Sequence, residues 1–297
     1  MPCHQPISAY AASGGGISFK RSSTAGREVK LPCRRCMGCR LDHAKQWQAR
    51  LLHEARTTPN AIFLTATYDE DHLPPSLSLD KRAPQLFFKR WRKHISPTKI
   101  RYYLAGEYGE LLRPHYHAIV YGYTPPDAIL ETSTDGNPFF SSAVLTSLWG
   151  QGFVNFGLVT PETCAYVARY VTKKISGPPA KDHYSRWDSK TGEVWQVLPE
   201  YGTMSRRPGI GSAYFDQYHA DVFPDDFIII NGRKTKTPRF YDKLLERRDP
   251  ELLEEIKTRR ADVTFTRSFR ADNKPARLAA KAECLASKMK TATKGKM

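Results

Sequence analysis

Two histidines at alternate positions could bind one metal ion. His115 and His117 lie in the run Pro114-His115-Tyr116-His117, which continues into an apolar segment typical of a β-strand. Alternate residues of a strand point to one face, so the two imidazoles would lie side by side and bind a divalent ion. Glu107, at the end of the preceding predicted strand, is placed to add a carboxylate, with Glu110 as the alternative. Taken alone, such a histidine pair is more often a surface feature.

Two tyrosines and two lysines form a second candidate group. Tyr166 and Tyr170 are four residues apart in a predicted helix, so they share one helix face. Lys173 and Lys174 follow on the same side. Phenol hydroxyls beside cations could attack a phosphate, with the cations and a metal ion compensating for the weak nucleophilicity of a phenol. The ordinary alternative is an aromatic core stripe with a basic helix end.

Three cysteines at two-residue spacing, Cys33, Cys36 and Cys39, suit a structural zinc site. The candidates for the fourth ligand are Cys3, His4 and His43. An iron–sulfur cluster would need a fourth cysteine at cluster spacing, which this segment lacks. The alternative to a metal site is a set of reduced thiols in a basic loop.

Composition narrows the class of protein. The 297 residues carry 46 Lys and Arg against 30 Asp and Glu, a formal net charge of +16. Aromatic residues make up 11% of the chain, which argues against general disorder. No apolar run is long enough to span a membrane, and the first residues do not resemble a secretory signal, so we expect a cytosolic protein. The positive charge predicts a polyanionic partner, most simply nucleic acid.

These side chains must be positioned by regular elements. Residue content predicts strands at 61–68, 100–105, 115–121, 153–159 and 227–230. Apolar periodicity predicts helices at 42–56, 80–94, 141–149 and 160–175, and a charged helical stretch at 241–261. The short connection before His115 predicts an antiparallel hairpin. Residues 1–32 are predicted to form a loop-rich arm, and the tail from Arg270 onward is basic with no large apolar face.

Three segments, in this order, resemble one family. They are Pro32-Cys33-Arg34-Arg35-Cys36-Met37-Gly38-Cys39-Arg40-Leu41-Asp42, then Gly106-Glu107-Tyr108-Gly109 with Arg113-Pro114-His115-Tyr116-His117-Ala118, and Tyr166-Val167-Ala168-Arg169-Tyr170-Val171-Thr172-Lys173-Lys174. Together they resemble gokushovirus-type replication initiators of the Microviridae, within the HUH endonuclease superfamily. The resemblance covers roughly residues 30–178, and no match extends beyond residue 180. It implies an α+β fold, an antiparallel sheet flanked by helices like an RRM palm, with a Cys-rich N-terminal segment and a basic C-terminal region.

The resemblance also implies an activity. Such a protein starts rolling-circle replication by nicking one strand at the viral origin through a covalent 5′-phosphotyrosine, and later religates the displaced circle. By position, Tyr166 and Tyr170 would be the nucleophiles, and His115, His117 and Glu107 the ligands of Mg²⁺ or Mn²⁺. Lys173 or Lys174 would stabilise the phosphate or position the metal. A structural Zn²⁺ on Cys3, Cys33, Cys36 and Cys39 is a separate expectation, which rests on the cysteine spacing and not on the resemblance.

The sequence pattern and the resemblance together predict the domain organisation and the partners. We expect a Cys-rich arm and helix at 1–56, a nuclease core at 57–180, and a C-terminal region of unassigned role at 181–297. The expected partners are single-stranded and supercoiled double-stranded origin DNA and the host replication machinery, in the host cytoplasm and without a membrane. The alternatives are another HUH enzyme, such as a plasmid initiator, relaxase or transposase, and a non-catalytic, zinc-stabilised nucleic-acid-binding protein.

Overall fold

The computed structural model contains two compact units. One comprises Ala44–Arg248, and the other comprises Met1–His43 together with Asp249–Met297. The described residues are 3–12, 16–21, 26–109, 111–131, 138–175, 177–223 and 225–294, without the side chains of 171–173 and 290–294. The sequence-based division at residues 56 and 180 remains a prediction.

Fourteen strands and ten helices occur in the described part of the chain. The strands are β1 Ile7–Ala11, β2 Ile17–Ser18, β3 Glu28–Leu31, β4 Ile62–Tyr68, β5 Arg101–Tyr108, β6 Pro114–Tyr121, β7 Ile129–Leu130, β8 Phe139–Ser141, β9 Gly152–Leu158, β10 Ser185–Trp187, β11 Val194–Gln196, β12 Tyr201–Met204, β13 Phe227–Ile230 and β14 Arg233–Lys236. The helices are α1 Met37–Thr57, α2 Arg82–His94, α3 Ala143–Trp149, α4 Pro161–Lys173, α5 Ala180–His183, α6 Ser212–Val222, α7 Arg239–Arg248, α8 Pro250–Phe265, α9 Arg267–Asp272 and α10 Pro275–Lys294.

A seven-stranded sheet organises the larger unit. Its strand order is β12-β5-β6-β4-β9-β8-β7, and every neighbouring pair is antiparallel. The predicted hairpin is β5–β6, in which Glu107 lies opposite His115. The predicted fold class, α+β with an antiparallel sheet flanked by helices, is therefore confirmed.

Helices cover both faces of this sheet because its central strands are apolar on both sides. On one face, α2 and α3 pack Phe87, Trp91 and Trp149 against alternate residues of β4, β6 and β9. On the other face, α1 and α4 pack Leu51 and Val167 against the intervening residues of β4, β5 and β6. Each buried strand therefore contributes to two cores. We call the side of the sheet covered by α1 and α4 the α4 face, and the core on the other side the opposite core.

The start of α4 is fixed by its first residues, as the sequence predicts. The Thr160 side chain accepts a hydrogen bond from the Thr163 backbone N–H, and Thr163 Oγ1 accepts one from the Thr160 N–H. Pro161 occupies the first turn, where its missing N–H costs no helical hydrogen bond. The side chain of Gln48 on α1 donates to the Pro161 carbonyl at 2.9 Å. These contacts set the rotation of the tyrosine-bearing helix.

The prediction of a loop-rich arm at residues 1–32 is wrong. Strands β1, β2 and β3 form a three-stranded antiparallel sheet, with Ala9 opposite Val29. These strands have two to five residues and no long apolar run, so their composition resembles that of a loop. Backbone pairing of β1 with both β2 and β3 stabilises them, and a local sequence window does not detect the β1–β3 pairing, whose residues are about twenty positions apart.

The C-terminal third contains more regular structure than its mixed sequence suggests. Strand β12, which the sequence reading missed, forms the edge of the main sheet beside β5. The predicted strand at 227–230 is confirmed as β13, which pairs with β14. The predicted stretch at 241–261 forms parts of two helices, α7 and α8, separated at Asp249, whose side chain caps α8. None of the helices in the described chain is both long and apolar enough to cross a membrane.

Candidate metal and nucleophile site

The two histidines project from β6 onto the α4 face of the sheet. Their neighbours Tyr116 and Ala118 point to the opposite core, as strand alternation requires. In the register of the sheet, His115 lies between Glu107 on β5 and Thr67 on β4. The predicted side-by-side placement of His115 and His117 is observed, with ring centroids 4.9 Å apart.

A buried carboxylate joins the two rings. Glu107 Oε1 lies 2.8 Å from Nε2 of His115 and 3.0 Å from Nε2 of His117. Glu107 is 2% exposed and His117 5% exposed, so little water reaches them. One donor atom from each of the three residues lies within 4.8 Å of the other two. A carboxylate oxygen and two imidazole nitrogens facing one point form a ligand set that fits a divalent cation. The alternative carboxylate, Glu110, lies outside the described residues.

Further contacts orient both imidazoles. Nδ1 of His117 lies 3.0 Å from the Thr65 hydroxyl oxygen on β4, and Nδ1 of His115 lies 3.2 Å from the Arg113 carbonyl oxygen. Both rings therefore direct Nε2 toward Glu107. This use of the second ring nitrogen is typical of histidines that bind metals. The sequence reading noted the strand that contains Thr65 but gave the hydroxyl no role, because only the register shows which strand residue faces His117.

Both tyrosines of α4 lie over this group. The Tyr170 ring stacks on His117 with centroids 5.2 Å apart and an interplanar angle of 11°. Tyr166 meets His117 edge-on at 5.0 Å and Tyr170 at 4.6 Å. Tyr170 is buried at 4% exposure, whereas Tyr166 is half-buried. The structure thus brings both predicted nucleophiles to the three predicted metal ligands, and it places them in different surroundings.

Burial also affects the acidity of the phenols. Burial raises the pKa of Tyr166, an effect that a hydrogen bond with Tyr170 partly offsets. Burial and the nearby Glu107 carboxylate raise the pKa of Tyr170 further. Both phenols are therefore protonated at neutral pH. A nucleophilic role for either one requires loss of that proton during attack.

The roles predicted for the two lysines have less support from the structure. Lys174 is the exposed residue at which α4 ends, and it makes no hydrogen bond or ion pair with any other described residue. The Lys173 side chain lies outside the described part of the structure. Their predicted roles at the phosphate remain predictions.

A second group of potential ligands lies in the smaller unit. The Sγ atoms of Cys3, Cys33, Cys36 and Cys39 all lie within 4.8 Å of one another. The fourth member is therefore Cys3 and not His4 or His43, which the sequence left open. Backbone N–H groups donate to three of these sulfurs, Cys3, Cys33 and Cys36, at 3.2 to 3.3 Å. Four converging sulfurs with N–H donors around them fit a metal ion that prefers thiolates.

Comparisons with known proteins identify the family of the chain. The sequence model described as "Replication-associated protein ORF2/G2P" matches residues 61–175, the segment that carries the histidines and tyrosines. The chain is 31% identical to replication-associated protein VP4 of Bdellovibrio phage phiMH2K, over 84% of this chain and 79% of that protein. It is also 31% identical to replication-associated protein ORF2 of Spiroplasma virus 4, over 89% of this chain and 87% of that protein.

A further relative is replication-associated protein ORF4 of Chlamydia phage 1, at 30% identity over 73% of this chain and 54% of that protein. No solved structure matches the chain. Two relatives above 30% identity align with most of the chain, and the family model covers the part that builds the site. The chain therefore belongs to the replication-associated proteins of the Microviridae.

Proposed function

We propose that this protein initiates rolling-circle replication by nicking one strand of phage DNA at the origin and later religating the displaced circle. The observation that carries the proposal is the buried Glu107–His115–His117 group beneath two tyrosines of one helix. A binding protein without chemistry has no need for a buried carboxylate facing two imidazoles. It also has no need for phenols stacked against them. Single-stranded and supercoiled origin DNA would be the substrates, in the cytoplasm of the host and together with its polymerase.

The metal ligands and the tyrosines would have separate roles in the nicking reaction. Glu107, His115 and His117 would hold Mg²⁺ or Mn²⁺, which when bound supplies a Lewis acid for the scissile phosphate. A tyrosine oxygen forms a bond to phosphorus as the bond to the 3′ oxygen breaks. The phenol loses its proton and the leaving 3′ oxygen gains one, so no net proton is consumed. The products are a 5′-phosphotyrosine and a free 3′ hydroxyl, from which a polymerase can extend.

Two tyrosines on one face suit a reaction that occurs twice. While one phenol holds the 5′ end, the other remains beside the same ligands and can attack the regenerated origin. The free 3′ hydroxyl can then attack the first phosphotyrosine, which closes the displaced circle and releases that phenol. The 4.6 Å separation of the Tyr166 and Tyr170 rings allows both to reach one phosphate position.

The covalent adduct provides the test. Labelled single-stranded oligonucleotides tiling the phage genome are incubated with the protein and Mn²⁺, and a denaturation-resistant protein–DNA species is sought. We expect one or a few oligonucleotides to give an adduct, which EDTA prevents. Tyr166→Phe and Tyr170→Phe should each reduce it in part, and the double variant should abolish it. Tyr123→Phe, a partly buried tyrosine packed in the opposite core, is the matched control.

Absence of an adduct with every oligonucleotide would contradict the nuclease proposal and favour a binding role. Complete loss of the adduct from either single substitution would contradict the alternation of two nucleophiles. An adduct that forms fully in EDTA would contradict the metal role of Glu107, His115 and His117.

We also propose that the four clustered cysteines bind one structural Zn²⁺. The support is the convergence of Cys3 with the Cys33, Cys36 and Cys39 segment. Purified protein should contain about one zinc per chain by elemental analysis, as expected for one four-thiolate site. Cys33→Ser should lose most of it, whereas Cys284→Ser, at an exposed cysteine outside the group, should retain it. Equal zinc content in the two variants would contradict the site.

A further inference from the structure

Part of the α4 face carries side chains outside the proposed nicking chemistry. In the register of the sheet, one row of directly opposed residues runs from Glu107 through His115 and Thr67 to Phe153 on β9. Opposed residues of antiparallel strands share a face, so Phe153 lies on the same face as the metal ligands. The strand spacing of about 4.8 Å places it two strands, or roughly 10 Å, from His115.

Phe153 is an aromatic side chain without an aromatic partner. It is 61% exposed, and its ring makes no contact with another described ring. Phe156 on the same strand behaves as expected of a strand residue that faces a core. It is 3% exposed and stacks on Phe140 at a centroid distance of 5.6 Å. Val154 and Phe156 of β9 are therefore buried in the opposite core, whereas the Phe153 ring is exposed on the other side of the strand.

The neighbouring row adds hydrogen-bonding capacity. Asn155 lies opposite Thr65 on β4, the residue whose hydroxyl contacts His117. The Asn155 side chain is exposed and makes no hydrogen bond with another described residue. A primary amide offers both a donor and an acceptor, as the edge of a nucleobase does. Phe153 and Asn155 alternate along β9, so both side chains are available on one side of the strand.

We propose that Phe153 and Asn155 form a base-binding subsite for single-stranded DNA beside the scissile phosphate. An unpaired base near the nick stacks on the Phe153 ring, and the Asn155 amide binds its edge. This inference rests on the proposed nicking function, because that function places a phosphate at the metal ligands. The 10 Å separation is about three nucleotides at a rise of about 3.4 Å, and fewer in an extended strand.

Three observations favour single-stranded DNA over other occupants. Thr67 and Thr65 on β4 connect this surface with the Glu107–His115–His117 group, because they lie opposite the two histidines on one side and opposite Phe153 and Asn155 on the other. Besides Phe153, this surface contains the exposed Asn155 and the half-buried Thr65 and Thr67, and three polar side chains do not suit an apolar peptide or a second copy of the chain. The net charge of +16 suits a polyanion. A base-paired strand keeps its bases within the helix, so stacking on Phe153 requires an unpaired base.

The first test measures binding without chemistry. Fluorescein-labelled dT20 is titrated with protein in EDTA, and fluorescence anisotropy gives the dissociation constant. Phe153→Leu should weaken binding about 5- to 150-fold, the range for loss of one base–aromatic stack. Phe153→Trp should stay within about threefold of wild type because it keeps the ring. Phe19→Leu, the same change at a phenylalanine that is 67% exposed, should have no effect. Wild-type affinity of Phe153→Leu would overturn the subsite.

The second test locates the base. Oligonucleotides with 5-iododeoxyuridine at successive positions around the nick are photocrosslinked, and the attached peptide is identified by mass spectrometry. One or two adjacent positions should crosslink to Phe153, and crosslinks only to other residues would refute the proposal. In the same oligonucleotides, Asn155→Ala should weaken discrimination among the four bases at that position. Unchanged discrimination would refute the role of the amide.

Different results would contradict the nicking function and the base-binding subsite. If wild-type protein forms no adduct with any oligonucleotide but Phe153→Leu still loses affinity for dT20, the nicking function fails, and only base binding at Phe153 stands, without a scissile phosphate beside it. If adduct forms and the binding and crosslinking tests are negative, nicking stands and the subsite fails. Loss of affinity in Phe153→Leu for a protein partner, with dT20 binding unchanged, would overturn the assignment to DNA.

Discussion

The hydroxyl of Thr65 provides a sharp test of how the candidate metal group is held. It lies 3.0 Å from Nδ1 of His117, and Nε2 of that ring faces Glu107. When Nε2 binds a metal ion, Nδ1 carries the proton and donates it to the Thr65 oxygen. Thr65→Val keeps the shape of the side chain and removes only this acceptor. We predict weaker binding of Mn²⁺ with the fold unchanged.

The expected size follows from burial. His117 is 5% exposed, so water does not readily replace the lost acceptor. A buried polar group left without a partner costs about 1–3 kcal/mol, or about 5- to 150-fold in an equilibrium constant. Loss of such an outer hydrogen bond to a metal ligand typically weakens affinity about 10- to 100-fold. We therefore expect the Mn²⁺ affinity of Thr65→Val to fall by about 10- to 100-fold.

Thr67 supplies a matched control on the same strand and face. Its hydroxyl lies 3.5 Å from the Phe153 carbonyl oxygen and makes no hydrogen bond with either histidine. Thr67→Val should change Mn²⁺ affinity by less than about threefold, because no ligand loses a partner. Isothermal titration calorimetry gives both affinities, and circular dichroism checks the fold. At saturating Mn²⁺, Thr65→Val should recover most of its adduct formation.

Two results would refute this reasoning. Equal affinities in Thr65→Val and Thr67→Val would mean that the Thr65 hydroxyl does not orient the ligand. A loss of adduct in Thr65→Val that saturating Mn²⁺ does not restore would mean that Thr65 acts on the reaction and not through the metal.

Three further predictions concern stability and charge. Burial lowers the pKa of His53 to about 3, so the unfolded chain binds an extra proton below about pH 6.5. The free energy of unfolding should therefore fall by about 1.4 kcal/mol per pH unit as the pH falls from 6 to 4, and His53→Gln should flatten that slope in denaturant titrations. Glu54 is buried, and its Oε1 lies 2.5 Å from Arg101 Nε. Glu54→Ala should lower the free energy of unfolding by about 3 kcal/mol, and a loss below about 1 kcal/mol would contradict a role for the pair. Lys89 and Lys93 of α2 are exposed and unpaired among the described residues of the unit. Changing both to Gln should lower the slope of log binding constant against log salt concentration for duplex DNA by up to about two charges. An unchanged slope would show that α2 does not contact DNA.

The central elements could be predicted from the sequence because local pattern determines them. Strand β4 is a run of β-branched and aromatic residues, and α4 begins with a capping threonine followed by proline. The predicted bounds differ from the observed ones by only a few residues in both cases. The small N-terminal sheet and β12 were missed because long-range pairing stabilises short strands whose residues have no distinctive pattern.

The sequence pattern pointed to the histidines, the glutamate and the tyrosines that meet in the candidate site, but not to the contacts that support them. The spacing of His115 and His117, and of Tyr166 and Tyr170, shows that each pair shares a face. It does not show that the two faces meet, which depends on the packing of α4 against β5 and β6. The choice of Cys3 over two histidines likewise depends on how the N-terminal segment returns to Cys33. Thr65 and Phe153 emerged only from the register of β4 between β6 and β9.

The register of β6 in the sheet explains why the site can be rigid although it lies at the end of the β5–β6 hairpin. A shift of β6 by one residue would place Tyr116 on the α4 face and both histidines in the opposite core. Tyr116 resists such a shift because its hydroxyl donates to the Asp80 carbonyl at 2.6 Å and lies 3.0 Å from the Tyr68 hydroxyl. The Gly109 N–H donates to the Arg113 carbonyl at 3.0 Å and closes the turn that joins the two strands. The aromatic core on one face thus holds the ligands in place on the other.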